Sequence, residues 1–243
     1  ITEPLYEGAE VVEVGNLEPG AEVVVFSDKD GDIGRGRCYS WFNRFTIALD
    51  PGKSLKQGHK ISATQRIDGD ESEPTKPSHL VTVQAIPVEY QQKEKLSPPS
   101  VIAPLYECQR IVRIDDLLQG AEVRVFDTQH GGHDLIGSRK TPWNTARVGT
   151  RELKENDEIK ADQHLRFSSN LSSPEVLVKK ANQQDLPLPV VDPPPANSNA
   201  VGVNNLVIGA RVDIFYEKNN NRVSIGGGFA PWSGTIFQVE PIQ

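Results

Sequence analysis

Apolar and polar residues alternate with a period of two along much of this chain. The clearest run is Leu17-Glu-Pro-Gly20-Ala21-Glu22-Val23-Val-Val25-Phe26. It returns as Leu117-Leu-Gln-Gly120-Ala121-Glu122-Val123-Arg-Val125-Phe126, and again as Leu206-Val-Ile-Gly209-Ala210-Arg-Val212-Asp-Ile214-Phe215. A period of two sends one set of side chains inward and the other to water, which predicts a strand. The glycine ahead of each run suits a positive-φ corner. In the second copy Glu122, Arg124 and Asp127 read as the outward set, as in an antiparallel sandwich with one wet face. Recurrence of the phrase implies one structural unit used three times.

Around the phrase the first copy predicts strands over 11–14, 45–49, 60–65 and 80–83. A hairpin is expected on Asp30-Gly31, because Asp-Gly between alternating runs favours a tight turn. A polar, proline-bearing loop covers 68–77. About seven short strands with turns between them are the pattern of an immunoglobulin-like sandwich. Pro4-Leu5-Tyr6-Glu7 and Pro104-Leu105-Tyr106-Glu107 lie 100 positions apart. The expected fold is all-β: tandem immunoglobulin-like β-sandwiches in an elongated array, with repeat 1 over 1–95 and repeat 2 over 96–185. A Pro-rich linker and a partial repeat 3 occupy 186–243. Gln91–Pro99 reads as a short, stiff linker, and the prolines of 186–195 as a semi-rigid spacer. Repeat 3 reaches only the strand at 235–239. It is expected either to be cut from a longer array or to be completed by another segment, since its missing strands would leave an apolar face and an open edge.

Charge narrows the partners. The chain carries 26 basic and 33 acidic residues, a net charge of -7. No basic face emerges, which argues against nucleic acid and anionic membranes. No apolar run approaches the roughly 18 residues that span a bilayer. Cys38 and Cys108 occupy non-equivalent positions, so neither repeat holds a disulfide framework. A bridge between them would need Cα atoms within about 7 Å. The chain contains no Met and opens on Ile1, so a processed or excised segment is expected.

Candidate chemistry is sparse. Trp41, Trp143 and Trp232 fall 21, 23 and 23 residues after their repeat glycines. They are the ligand-binding candidates, since an exposed indole offers a stacking face to a sugar ring or a side chain; the competing reading is a framework residue in each unit. Asp28, Asp30 and Asp32 cluster, but the glycine is misplaced for a Ca²⁺ loop and no downstream Glu closes it. His130, His133 and Asp134 lack the further rigid ligands zinc requires. Gly226-Gly227-Gly228 opens no helix, and no nucleophile elbow is present. Tyr6 and Tyr106 are candidates for junction plugs or for simple edge packing. The expectation is a non-enzymatic chain with no cofactor and no metal.

The succession Gly-Ala-x-Val-x-Val-Phe, Asp-rich hairpin, Ile-Gly, aromatic, Leu-x-x-Gly (Asn-Asp in repeat 2) and Ile-x-Ala-x-Gln resembles the bacterial Ig-like domains strung along surface and secreted proteins. The resemblance covers two repeats and the opening half of the third. It implies extracellular or cell-surface use as a spacer, adhesion or protein-binding module, with further domains beside it and a protein or glycan partner. The alternative is a carbohydrate-binding accessory module of an extracellular enzyme. The resemblance carries no shared active site. Cys108 and the long second linker depart from it.

Overall fold

The structure, a computed structural model, describes residues 1–39, 43–67, 70–71, 80–92, 95–172, 174–182, 184, 186–195, 198–218 and 221–240. It is an all-β array of sandwiches. The first repeat contributes β1 (Val11–Gly15), β2 (Glu22–Ser27), β3 (Gly31–Arg37), β4 (Arg44–Ala48), β5 (Lys60–Ile67), β6 (Asp70–Glu71) and β7 (Val81–Thr82). β1 pairs with β4, while β3, β2 and β5 form the facing sheet, with β6 and β7 both on β5. Most of the expected 68–77 loop lies outside the described residues. Tyr6 bridges to Gln84 in parallel, and so holds an edge position.

β8 (Gln91–Gln92) and β9 (Lys95–Leu96) make a small hairpin between the first two repeats. The expected stiff linker is therefore a fold-back, and it tucks Leu96 to 1% exposure. The second repeat follows as β10 (Ser100–Val101), β11 (Leu105–Tyr106), β12 (Ile111–Asp115), β13 (Glu122–Asp127), β14 (Asp134–Lys140), β15 (Ala146–Gly149), β16 (Glu158–His164) and β17 (Val176–Lys179). One sheet runs β10-β12-β15 and the other β11-β17-β16-β13-β14, with β11 parallel to β17. β10, β12 and β15 thus face β13, β16 and β17, which is the immunoglobulin pairing. No buried inter-sheet disulfide supports it: Cys38 is buried, Cys108 is exposed, and the two are not bridged.

The third repeat provides β18 (Val190–Val191), β19 (Ala200–Asn204), β20 (Arg211–Lys218), β21 (Asn221–Phe229) and β22 (Thr235–Gln238). Val190–Val191 belongs to the expected spacer, yet it pairs with β19 as β10 pairs with β12. Flanking prolines tolerate this because an edge strand leaves one side unpaired. The sheet β18-β19-β22 is complete, but β20 and β21 stand as a two-stranded sheet.

The phrase folds alike each time. Val23, Val25, Val123 and Val125 are fully buried, as the alternation requires. Asp127 departs from expectation: it follows Val123 and Val125 inward, is 9% exposed, and is held by Arg151 at 2.6 Å. A bulge follows Val25, Val125 and Ile214 at one site in all copies. The residue opposite is Gly34, Gly137 or Gly226, where a Cβ would lie 2.3–2.9 Å from a carbonyl oxygen of the facing sheet. This close approach explains the Ile-Gly motif.

Candidate functional site

The corners that launch the repeated strands also meet the preceding repeat. At Gly120, φ is +87°, and a Cβ would come within 2.5 Å of the Ala9 methyl. Leu118, Ala121 and Leu165 of the second repeat belong to the same buried cluster as Leu5 and Val12 of the first. Charges ring this apolar centre. Arg166 reaches Glu7 at 3.0 Å, and Lys140 pairs with Glu10. Trp143 donates its indole N–H to Glu13 Oε1 at 3.2 Å. Glu13 is 3% exposed, and its other oxygen, Oε2, has no hydrogen-bond partner; Arg44 stands 3.9 Å away.

The next junction uses the same corner with different chemistry. Gly209, at φ +80°, packs on the Ile111 backbone, where a Cβ would meet N and O at 2.9 Å. Gln109 donates to the Ile208 carbonyl at 2.7 Å. The Arg147 guanidinium lies 3.3 Å from the Trp232 ring centroid, and its buried Nε has no hydrogen-bond partner. Burial, with Arg113 adding to it, holds the Arg147 pKa below its ordinary value. Arg110 covers Phe229 in the same way at 5.4 Å. A cleft of about 400 Å³ opens beside this junction, lined by Pro104, Ile111, Pro187 and Leu206 among others.

Of the tryptophans singled out in the sequence, Trp143 and Trp232 therefore sit against the preceding repeat, while remaining 41% and 53% exposed. Trp41 lies outside the described residues. Trp143 and Trp232 contact different partners, Glu13 and Arg147. Among the described residues no group of three His, Cys, Asp or Glu side chains converges on a metal position, and no helix is long and apolar enough to cross a membrane. Asp30 faces Lys56 at 2.9 Å and His59 at 3.5 Å; the Lys56 hydrogen bond holds its carboxyl below the usual value.

Sequence reasoning missed two features. Glu13 sits among apolar residues of β1, where nothing local marks it as an acceptor. Gln163 is fully buried and ties down a corner: its Oε1 accepts from Leu118 N at 2.7 Å, and its Nε2 donates to Ser97 O at 2.8 Å and Asp116 O at 3.3 Å. Gln65 does the same for Glu18 N and Asn16 O. The signal was present in the repeated Ile-x-Ala-x-Gln, whose final residue is polar at an inward position.

This is the architecture of tandem immunoglobulin-like sandwiches. No family model matches the chain, and no curated protein matches it. Solved structures that are similar include a "Biofilm associated protein - BSP domain", 13% identical over 71% of this chain with a TM-score of 0.32; this chain spans 28% of its length. The human OSCAR ligand-binding domain is 15% identical over 73% of this chain and 90% of its own, with a TM-score of 0.26. The FN1-FN3 domains of chicken CNTN1 are 9% identical over 98% of this chain and 87% of their own, with a TM-score of 0.29. The immunoglobulin-like assignment rests on the strand pairing described above.

Proposed function

We propose that the chain is a non-enzymatic array of Ig-like modules from a larger secreted or cell-surface protein of bacterial type. Its units are residues 1–95, 96–185 and 186–243, and it acts as a spacer that also presents surfaces to a protein partner. The observation that carries this reading is the seating of both repeat corners, Gly120 and Gly209, against the backbone or methyl groups of the preceding repeat. Such seating fixes one sandwich on the next, which is what a spacer needs. A dependence of partner binding on the junctions tests it. The G209V variant, which unseats the third repeat, is expected to weaken capture of a surface partner while leaving the second repeat folded. Unchanged capture with the junction opened would count against the spacer reading.

The partial exposure of Trp143 and Trp232 favours a second reading, glycan binding. Tryptophan emission titrated with polysaccharides separates the two. Saturable quenching points to glycan; an unchanged spectrum leaves the spacer reading in place.

A further inference from the structure

The two junctions are built on equivalent residues, yet one is closed and the other is open. Pro4, Leu5, Val11 and Glu13 line a gap of about 10 Å³ at the first. Their counterparts Pro104, Leu105, Ile111 and Arg113 line the cleft of about 400 Å³ at the second. One position explains the difference. At the first junction the Gly120 corner closes onto the Ala9 methyl. The place of Ala9 is taken in the second repeat by Gln109, which is 3% exposed and stands as a strut. Its Oε1 accepts from Tyr106 N and its Nε2 donates to Ile208 O, both at 2.7 Å. The Gly209 corner rests further along β12, on Ile111, and the space beside it stays open.

Charge changes at the same place. Glu13 stands opposite Thr46 in the first repeat, whereas Arg113 stands directly opposite Arg147 in the second. Like charges opposite each other weaken an antiparallel pair. A third arginine joins them: Arg139 donates to the Arg147 carbonyl at 3.0 Å, where the first repeat has Gly36. Among the described residues Asp115 is the only carboxylate paired with the three, and it accepts from Arg113 Nε at 3.0 Å and Nη2 at 2.9 Å. The Arg147 Nε stays buried without an acceptor. One acid against three guanidinium groups leaves this side of the cleft cationic. Most of the remaining lining is apolar, with Ile102, Pro187, Leu206 and Ile208.

We propose that this cleft binds a small carboxylate with an aliphatic tail, its head at Arg113 and its tail along Pro104, Ile111 and Leu206. Sites for small ligands enclose a few hundred Å³ and are mostly apolar, with a few placed polar groups that fix orientation. The cleft has that size and that make-up. Arg113 gives Nε and Nη2 to Asp115, which leaves Nη1 to donate to an incoming head group. A carboxylate there also relieves the repulsion between Arg113 and Arg147. A sugar fits less well. Its hydroxyls need partners, while the Gln109 amide is already committed to backbone on both sides. An aliphatic ammonium meets three like charges. The site goes beyond the spacer reading and does not rest on it. Its occupant touches both repeats and so ties the third to the second.

The test is amide NMR of residues 1–243 titrated with octanoate. Saturable shifts are expected at Ile111, Arg113 and Ser233, and none at Val11 or Glu13, where the equivalent gap is closed. Octylammonium, with the same tail and the opposite charge, should not bind. Hexanoate should bind about tenfold more weakly than octanoate, because two methylenes leave the apolar wall. R113Q should weaken octanoate about tenfold, the loss of one charge-assisted hydrogen bond. S233F changes an exposed residue of the lining and puts a ring into the cleft. It should abolish binding, and it decides the matter even where R113Q fails to fold. Four results would overturn the inference: no saturable shift with octanoate, equal binding of octylammonium, equal shifts at both junctions, or unchanged binding by S233F.

Discussion

The two junctions use one tryptophan position for opposite charges. At the first, Trp143 turns its N–H edge to the Glu13 carboxylate; at the second, Trp232 turns its face to the Arg147 guanidinium. An indole has a positive rim and a negative face, so rotation alone suits it to either partner. The surroundings differ accordingly. The first junction has an apolar centre of Leu118, Ala121 and Leu165, while the second rests on backbone contact at Ile111 and on stacked arginines. A repeated sequence thus conserves the place of contact without conserving its chemistry.

The corner glycines break the comparison most severely. G209A forces a Cβ on Ile111 backbone atoms that have no flexible end to move, and it adds positive-φ strain, for a combined cost of about 2–4 kcal/mol. G120A meets a single methyl and should cost slightly less. G20A has nothing within 4 Å, so it should show only the backbone strain of about 1–2 kcal/mol. Urea unfolding of the three variants checks this order. Tryptophan-to-phenylalanine changes come next, and they should part company. W143F removes the donor of a buried carboxylate and is expected to cost about 1–2 kcal/mol. W232F keeps an aromatic face for Arg147 and should cost less than about 0.5 kcal/mol. R147Q tests the second junction alone, at about 0.5–1 kcal/mol.

The smallest effect lies away from both junctions. Asp30 is held below its ordinary value by Lys56. A depressed carboxyl favours the folded state above the unfolded pKa, and that contribution fades as pH falls through the folded one. Carboxyl NMR titration of K56Q should therefore show Asp30 moving up toward the normal Asp range.

The strands and the repeat were legible in the sequence because period-two alternation and corner glycines act locally. Val23, Val25, Val123 and Val125 are inward as read. Asp127 was misread because polarity was taken as outward, whereas its partner Arg151 is 24 residues away and invisible to local pattern. Val190–Val191 was hidden for a related reason: prolines mark a spacer, yet an edge strand tolerates them. The junction role of the tryptophans depends on contacts such as Glu13 with Trp143, 130 residues apart, which no spacing rule supplies.

The seating of one sandwich on the next is tested most directly by ¹⁵N relaxation, comparing rotational diffusion sensed by amides of β2, β13 and β19. A single shared diffusion tensor for the three strands is the expected result. Independent, faster tumbling of any one of them would contradict the fixed junctions, and with them the spacer reading.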